Sequence, residues 1–235
     1  MKTFKVFRFD SDKDKKPYFD TFNVSVKRGT TVIEGLFYIQ QNIDPSLAFR
    51  FSCRGAVCGS CAMHINGKYR LACETQVLDI KKNTITIQPL GHLSVIRDLF
   101  VDMDRFWQCY REVKPYLMAG SPPPEKERIQ TPDERKRLDD MIDCILCGSC
   151  FSACTVTGTD EKYIGPAALL KANRFLKDSR DGVKGERLQI VDGLHGIWRC
   201  HTIMSCQEVC PKNLSPTEAI AEIKRTMVAK KFSGE

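Results

Sequence analysis

Cys144-Ile-Leu-Cys147-Gly-Ser-Cys150-Phe-Ser-Ala-Cys154 is answered later in the chain by Cys200-His-Thr-Ile-Met-Ser-Cys206-Gln-Glu-Val-Cys210-Pro211. The two runs share one spacing, CxxCxxCxxxC, with a single gap. Ile203 stands where the second run would need a cysteine to match Cys147, so the first run offers four thiols and the second three. Spacings of two or three residues repeated within one run suit a metal centre better than a set of disulfides.

The spacing is the one that holds iron–sulfur clusters in bacterial ferredoxins, where the fourth cysteine of each run serves the other cluster. Applied here, that crossed logic groups Cys144, Cys147 and Cys150 with Cys210 as one four-thiolate [4Fe–4S] site, and Pro211 supplies the Cys-Pro ending. Cys154, Cys200 and Cys206 remain, three thiolates only, since the aliphatic Ile203 cannot bind iron. A cubane that lacks one protein ligand readily loses that corner, which makes [3Fe–4S] the natural occupant. The alternative is a [4Fe–4S] cluster with an open or water-ligated iron, for which Ile203 offers no polar support.

A third group lies upstream. Cys53-Arg-Gly-Ala-Val-Cys58-Gly-Ser-Cys61 with Cys73 has the plant-type Cx4Cx2C…C spacing of a [2Fe–2S] cluster. Cluster sulfides need backbone N–H donors close by, and Gly55, Ala56, Gly59 and Ser60 let the chain bend around them without intervening side chains. Zinc also takes four thiolates, but its usual ligands come as two separate CxxC-like turns rather than three in one glycine-rich loop.

With 235 residues the chain has room for two domains of ordinary size. Its twelve cysteines, taken as reduced thiols, and a first segment unlike a signal peptide predict a cytosolic protein or one on the cytosolic side of a membrane. No apolar run approaches the ~20 residues that span a bilayer, so a membrane link would go through a partner or a surface patch. The net charge of +7 suits an acidic partner or anionic lipid, or simply solubility. Nucleic acid is not expected, because no basic patch is interleaved with aromatic residues.

Alternation of apolar and polar residues predicts strands at 4–9 and 22–26, joined by a hairpin turn over 10–17, with further strands at 63–65 and 84–87. Thr30-Thr31 caps a helix predicted over 32–41. The stripe Val95, Ile96, Leu99, Phe100, Met103, Phe106 and Trp107 predicts helix between Leu93 and Tyr116, with Cys109 as a buried structural thiol. Ser121-Pro-Pro-Pro124 and the charged residues after it read as a stiff connector at a domain boundary. Thr131-Pro-Asp-Glu134 and Gly165-Pro166 open helices, Asp178 to Gly182 is a loop, and Thr217 to Val228 is a last helix. Its basic end, Lys224, Arg225, Lys230 and Lys231, reads as solvated, with contact to an anionic surface as the alternative.

Taken together, these segments carry a resemblance to a family. The chain resembles the iron–sulfur subunit of succinate dehydrogenase and of quinol:fumarate reductase in Phe51-Ser-Cys-Arg54, Cys58-Gly-Ser-Cys-Ala-Met63, Leu71-Ala-Cys73, Cys144-Ile-Leu-Cys147, Ile164-Gly-Pro-Ala167, Asp178-Ser-Arg-Asp181, Arg199-Cys-His-Thr-Ile-Met204 and Cys210-Pro-Lys212. The resemblance implies an α+β chain: an N-terminal β-grasp, plant-type ferredoxin domain with [2Fe–2S], put at residues 1–105, then an α-helical bacterial-ferredoxin-like domain with [4Fe–4S] and [3Fe–4S], put at 106–235. It also implies a place between a flavoprotein subunit carrying FAD and the succinate/fumarate site, and a membrane anchor with quinone and haem b. Single electrons would pass between the two, in a bacterial complex peripheral to the cytoplasmic face of the inner membrane.

By the same resemblance, His201 and Ile203 face the quinone side; without it, His201 reads as a satisfied polar side chain of a cluster loop. Two departures stand out. Many ubiquinone-linked members follow the fourth cysteine with proline, serine and two tryptophans, whereas Cys154 here precedes Thr-Val-Thr-Gly-Thr159, which tilts the expectation toward menaquinone. Arg54-Gly-Ala-Val57 also lacks an acidic residue common at that loop, which would raise the first cluster's potential slightly. Alternatives are the iron–sulfur subunit of another dehydrogenase or of a thiol-linked fumarate reductase, and a zinc-stabilised interaction module.

Overall fold

A computed structural model describes residues 1–233. The chain forms two compact units, one of Met1–Met103 with Ile145–Ala153, the other of Asp104–Cys144 with Cys154–Glu235.

In the first unit, β1 (Lys2–Arg8) pairs antiparallel with β2 (Tyr18–Val24), from Lys2 opposite Val24 to Arg8 opposite Tyr18. Helix α1 (Val32–Asn42) follows, then β3 (Ala62–Ile65), β4 (Lys68–Leu71) and β5 (Thr84–Gln88). The sheet order is β2-β1-β5-β3-β4, and β1 lies parallel to β5 while the other pairs are antiparallel. This mixed sheet with its crossing helix is the expected β-grasp. A capping box starts α1: the Thr31 hydroxyl accepts from the Glu34 N–H, and the Glu34 carboxylate accepts from the Thr31 N–H. Buried Val32, Ile33, Leu36 and Ile39 make its apolar face. Gly35 has no room for a side chain, since a methyl there would stand 2.3 Å from the Phe4 ring.

The period of β1 puts Phe4, Val6 and Arg8 on one buried face, so a guanidinium is carried into an apolar layer. It is stabilised there by carboxylates. Arg8 donates to Asp98 at 3.0 Å, to Asp20 at 3.2 Å, to Ser46 at 2.8 Å and to Asp44. Although burial works the other way, hydrogen bonds from Ser46 and Arg8 hold the Asp44 carboxyl down at about 2. Its contribution to stability is therefore complete above its ordinary pKa and is lost as pH falls toward 2.

The expected helix between Leu93 and Tyr116 forms only in its second half. Val95–Arg97 (β6) and Phe100–Val101 (β7) are a small hairpin, and helix α2 runs from Asp104 to Glu112. Asp98 explains the break. Its backbone is left-handed, with φ of 48°, and its buried carboxylate accepts from Arg8, from the Phe9 N–H and from the Ala48 N–H. Those partners outweigh the local apolar period. Cys109 on α2 is buried, as expected, with its thiol 3.7 Å from the Tyr163 carbonyl oxygen.

The second unit is helical. Short segments α3 (Pro132–Lys136) and α4 (Asp139–Ile142) precede the first cysteine run, in which α5 (Ser149–Ala153) belongs to the first unit. Next come α6 (Thr155–Thr159), α7 (Pro166–Lys177), α8 (Lys184–Val191), a 3-10 turn at Ile197–Arg199, α9 (Ser205–Glu208) and α10 (Pro216–Ser233). Thr131 and Glu134 form the expected capping box, but that helix stops at Lys136 instead of running on. Helices α2, α8 and α10 pack on α7, which is buried along most of its length. The proline-rich connector lies inside this unit, where the Gly182 N–H donates to the Met118 carbonyl at 2.9 Å.

Candidate functional site: three groups of cysteines

Every one of the twelve cysteines is outside a disulfide. In the first unit, Arg54 and Ala56 adopt left-handed backbone, with φ of 55° and 59°. That alternation turns successive N–H groups inward, as in the backbone nests that bind anions. The N–H groups of Gly55, Val57 and Cys58 all approach the Cys53 sulfur, at 3.4, 3.4 and 3.3 Å. The Cys53 N–H donates to the Cys58 sulfur at 3.4 Å, and the Cys73 N–H to the Cys61 sulfur at 3.5 Å. Small side chains at 55, 56, 59 and 60 thus leave room for donors, but the left-handed positions are Arg54, Ala56 and Gly59, not Gly55.

Among the described residues, no three His, Cys, Asp or Glu side chains converge as a single metal ion would need. A cluster of several irons spreads its thiolates around a larger body, so donor chemistry is the test of fit. The cysteine sulfurs of this loop are met by backbone N–H groups, which suits the anionic thiolates and sulfides of a cluster. Two of the thiols differ sharply. Burial acts to raise Cys58, yet hydrogen bonds from Ser60 and from the Cys53 and Ser60 N–H groups hold it down at about 6, while burial pushes Cys61 up to about 12.

Gly59 brings this loop against the first cysteine run. With φ of 72°, it lies so close to Cys147 that an added methyl would stand 2.8 Å from the Cys147 Cβ and 2.9 Å from its Cα. Gly59→Ala is expected to cost about 2 to 5 kcal/mol, from left-handed strain plus overpacking against backbone that has no flexible end to move. Iron content and the thermal midpoint should fall together. An unchanged midpoint would mean that the loop can retreat from Cys147.

In the second unit, Cys144 and Cys210 pack on one apolar cluster of Leu138, Met141, Leu170, Leu214 and Ala219. The last cysteine of the second run and the first cysteine of the first run thus pack on the same cluster. Cys154, Cys200 and Cys206 line a pocket together with Tyr163, Thr217, His201 and Ile203. Asp160 ties the walls together: its carboxylate accepts from His195 at 2.8 Å and from Arg199, next to Cys200, at 3.0 Å. The His195 hydrogen bond is the main reason that the Asp160 carboxyl lies below its ordinary range. Arg105 adds bonds to the Thr157 and Asp160 carbonyls at 2.8 and 2.9 Å.

His201 and Ile203 sit at the mouth of this pocket. His201 is exposed, and Ile203 is 57 % exposed while lining the pocket. Lys224, expected to be solvated, instead donates to the Cys200 carbonyl at 2.9 Å, and the Lys231 ammonium lies over the Trp198 ring. Sequence reasoning missed Tyr163, Thr217 and Asp160, each of which contacts these loops from another part of the chain.

A β-grasp sheet with a cysteine loop, joined to helices with two interleaved cysteine runs, defines an iron–sulfur electron-transfer protein of two ferredoxin-like domains. Residues 3–108 match the family model of a 2Fe-2S iron-sulfur cluster binding domain, and residues 140–214 that of a 4Fe-4S dicluster domain. The chain is 43% identical, over 99% of its length and 100% of the relative's, to the succinate dehydrogenase iron-sulfur subunit of Coxiella burnetii. It is 41% identical, over 94% of its length and 80% of the relative's, to the mitochondrial succinate dehydrogenase [ubiquinone] iron-sulfur subunit of Dictyostelium discoideum. A chain of the Mycobacterium smegmatis Sdh1 complex in the apo form has the same fold, with a TM-score of 0.87 over 98% of this chain and 97% of that one at 24% identity. This chain belongs to the family of succinate dehydrogenase iron–sulfur subunits.

Proposed function

We propose that the chain carries single electrons between a flavoprotein subunit with FAD and a dicarboxylate site, and a quinone held by a membrane anchor subunit that also binds haem b. In this reading Cys53, Cys58, Cys61 and Cys73 hold [2Fe–2S], Cys144, Cys147, Cys150 and Cys210 hold [4Fe–4S], and Cys154, Cys200 and Cys206 hold [3Fe–4S] in place of a second four-iron cluster. When bound, the three clusters supply one-electron carriers in series. The protein's part is to hold them close, exclude water and set their potentials.

The observation that supports the reading is the pocket lined by Cys154, Cys200, Cys206 and Ile203, the last being the residue at which the spacing of the second run would call for a fourth cysteine. Three thiolates and an aliphatic side chain suit a three-iron centre. His201 and Ile203, exposed at that pocket, are the residues proposed to face the quinone. The first loop would lie toward the flavoprotein, with Gly59 against Cys147 as the short step to the middle cluster. No helix among the described residues is long and apolar enough to cross a membrane, which suits a subunit held to the cytoplasmic face of a bacterial inner membrane through its anchor. Domain limits at 105 and 106 are proposed to separate the folds that hold the first cluster and the other two.

Purification of the complex with its flavoprotein and anchor tests this directly. Paramagnetic resonance should show a reduced [2Fe–2S] centre and an oxidised [3Fe–4S] centre, and the extracted quinone identifies the membrane carrier. Menaquinone is expected from the tryptophan-free Thr155–Thr159 segment; ubiquinone, named for the Dictyostelium relative, would instead show that this segment does not select the quinone. A colourless protein with stoichiometric zinc would sink the redox reading.

A further inference from the structure

We infer that the hydroxyls of Tyr163 and Thr217 donate hydrogen bonds to the Cys200 and Cys206 sulfurs and raise the reduction potential of the cluster those cysteines hold. This rests on the proposed third cluster and adds residues outside both cysteine runs. Tyr163 is 1% exposed and lines the pocket together with Cys200. Thr217, 5% exposed in the first turn of α10, places its hydroxyl oxygen 3.2 Å from the Cys206 sulfur.

In the free thiol form either atom of the Cys206 and Thr217 pair could donate. A cysteine bound to iron has lost its proton, so the hydroxyl must then be the donor. A buried hydroxyl without a partner is costly; Thr217 finds that partner in the Cys206 sulfur, and the Cys200 sulfur on the same pocket is the partner inferred for Tyr163. The direction of the effect follows from charge. One-electron reduction puts an extra negative charge on the cluster and its sulfurs, a hydrogen bond stabilises that state more than the oxidised one, and the hydroxyl proton stays on its oxygen. Burial of both hydroxyls keeps water from substituting for them and strengthens each bond. The framework holds them in place: the Tyr163 N–H donates to the Asp160 carbonyl at 3.2 Å, and the Tyr163 carbonyl receives Cys109.

The test is a redox titration of the holo complex, following the oxidised [3Fe–4S] resonance in Tyr163→Phe, Thr217→Val and Thr217→Ser. At the unmodified enzyme's midpoint, where reduced and oxidised cluster are equal, Tyr163→Phe and Thr217→Val should each lower the reduced-to-oxidised ratio by about tenfold, or 59 mV for a one-electron couple. Thr217→Ser keeps the hydroxyl and should keep the potential, while the [2Fe–2S] midpoint stays fixed in all three. If Tyr163→Phe prevented cluster assembly, the comparison of Thr217→Val with Thr217→Ser would decide the matter. Full-intensity resonances with unshifted midpoints, or an equal shift in Thr217→Ser and Thr217→Val, would overturn the inference. A missing [3Fe–4S] signal in the unmodified enzyme would instead overturn the three-iron reading beneath it.

Discussion

Ile203→Cys should abolish most of the oxidised [3Fe–4S] resonance and replace it with a [4Fe–4S] cluster, because it restores the one thiolate missing from the second run. The side chain is 57 % exposed and lines the pocket of Cys154, Cys200 and Cys206, so the change does not dismantle a core. Its effect on folding should stay within about 0.5 kcal/mol, the usual range for surface substitutions. An added thiolate also adds negative charge, which should lower the potential and slow electron delivery to quinone. Iron and sulfide analysis together with paramagnetic resonance of the oxidised complex reads both effects. A three-iron resonance at full intensity in a fully loaded variant would mean that Ile203 does not stand at the third cluster.

The second large effect concerns stability. Arg187 is 1% exposed and places all its donors. It donates to the Val113, Lys114 and Tyr116 carbonyls at 3.0, 2.6 and 2.6 Å, and to both oxygens of buried Asp181 at 3.1 and 2.6 Å. Its guanidinium also lies over the Phe175 ring, 4.5 Å from the centroid. Asp181 in turn accepts from the Met118 and Val183 N–H groups. One side chain therefore fastens the segment after α2 to the loop between α7 and α8. Arg187→Leu leaves the Asp181 charge and three carbonyls without their partner, at a cost of about 3 to 5 kcal/mol. Arg187→Lys should recover only part of that, since an ammonium cannot reproduce a five-donor planar fork. Denaturant melts of the cluster-loaded protein check this, and adding Asp181→Asn to Arg187→Leu should cost less than the sum of the single changes. A loss under about 1 kcal/mol for Arg187→Leu would mean that water or a rearranged loop satisfies these groups.

What was legible in the sequence was local chemistry. Thr31 and Glu34, Thr131 and Glu134, and Pro166 announce helix starts because caps act within one turn. Period-two alternation announced β1 and β5 because each has a buried face. Helices α4, α5, α6 and α9 carry too few residues to display a period; helices so short are held by packing rather than propensity. The stripe through Val95 to Phe106 misled for the opposite reason. Its apolar spacing was real, but the chain turns at Asp98 to meet Arg8, a partner far away in sequence.

Ligand spacing and ligand type are properties of the chain alone, so the 2Fe-2S and 4Fe-4S character of the two domains and the family could be read before folding was considered. Which side chains surround those sulfurs could not. Tyr163, Thr217, Asp160 and Lys224 reach these loops from outside the cysteine runs, and nothing in their own neighbourhoods marks those contacts; Gly59 was marked as a loop residue, but not its approach to Cys147. The physical reason is that a thiolate's identity is covalent and local, whereas its hydrogen bonds and burial depend on where folding brings the rest of the chain.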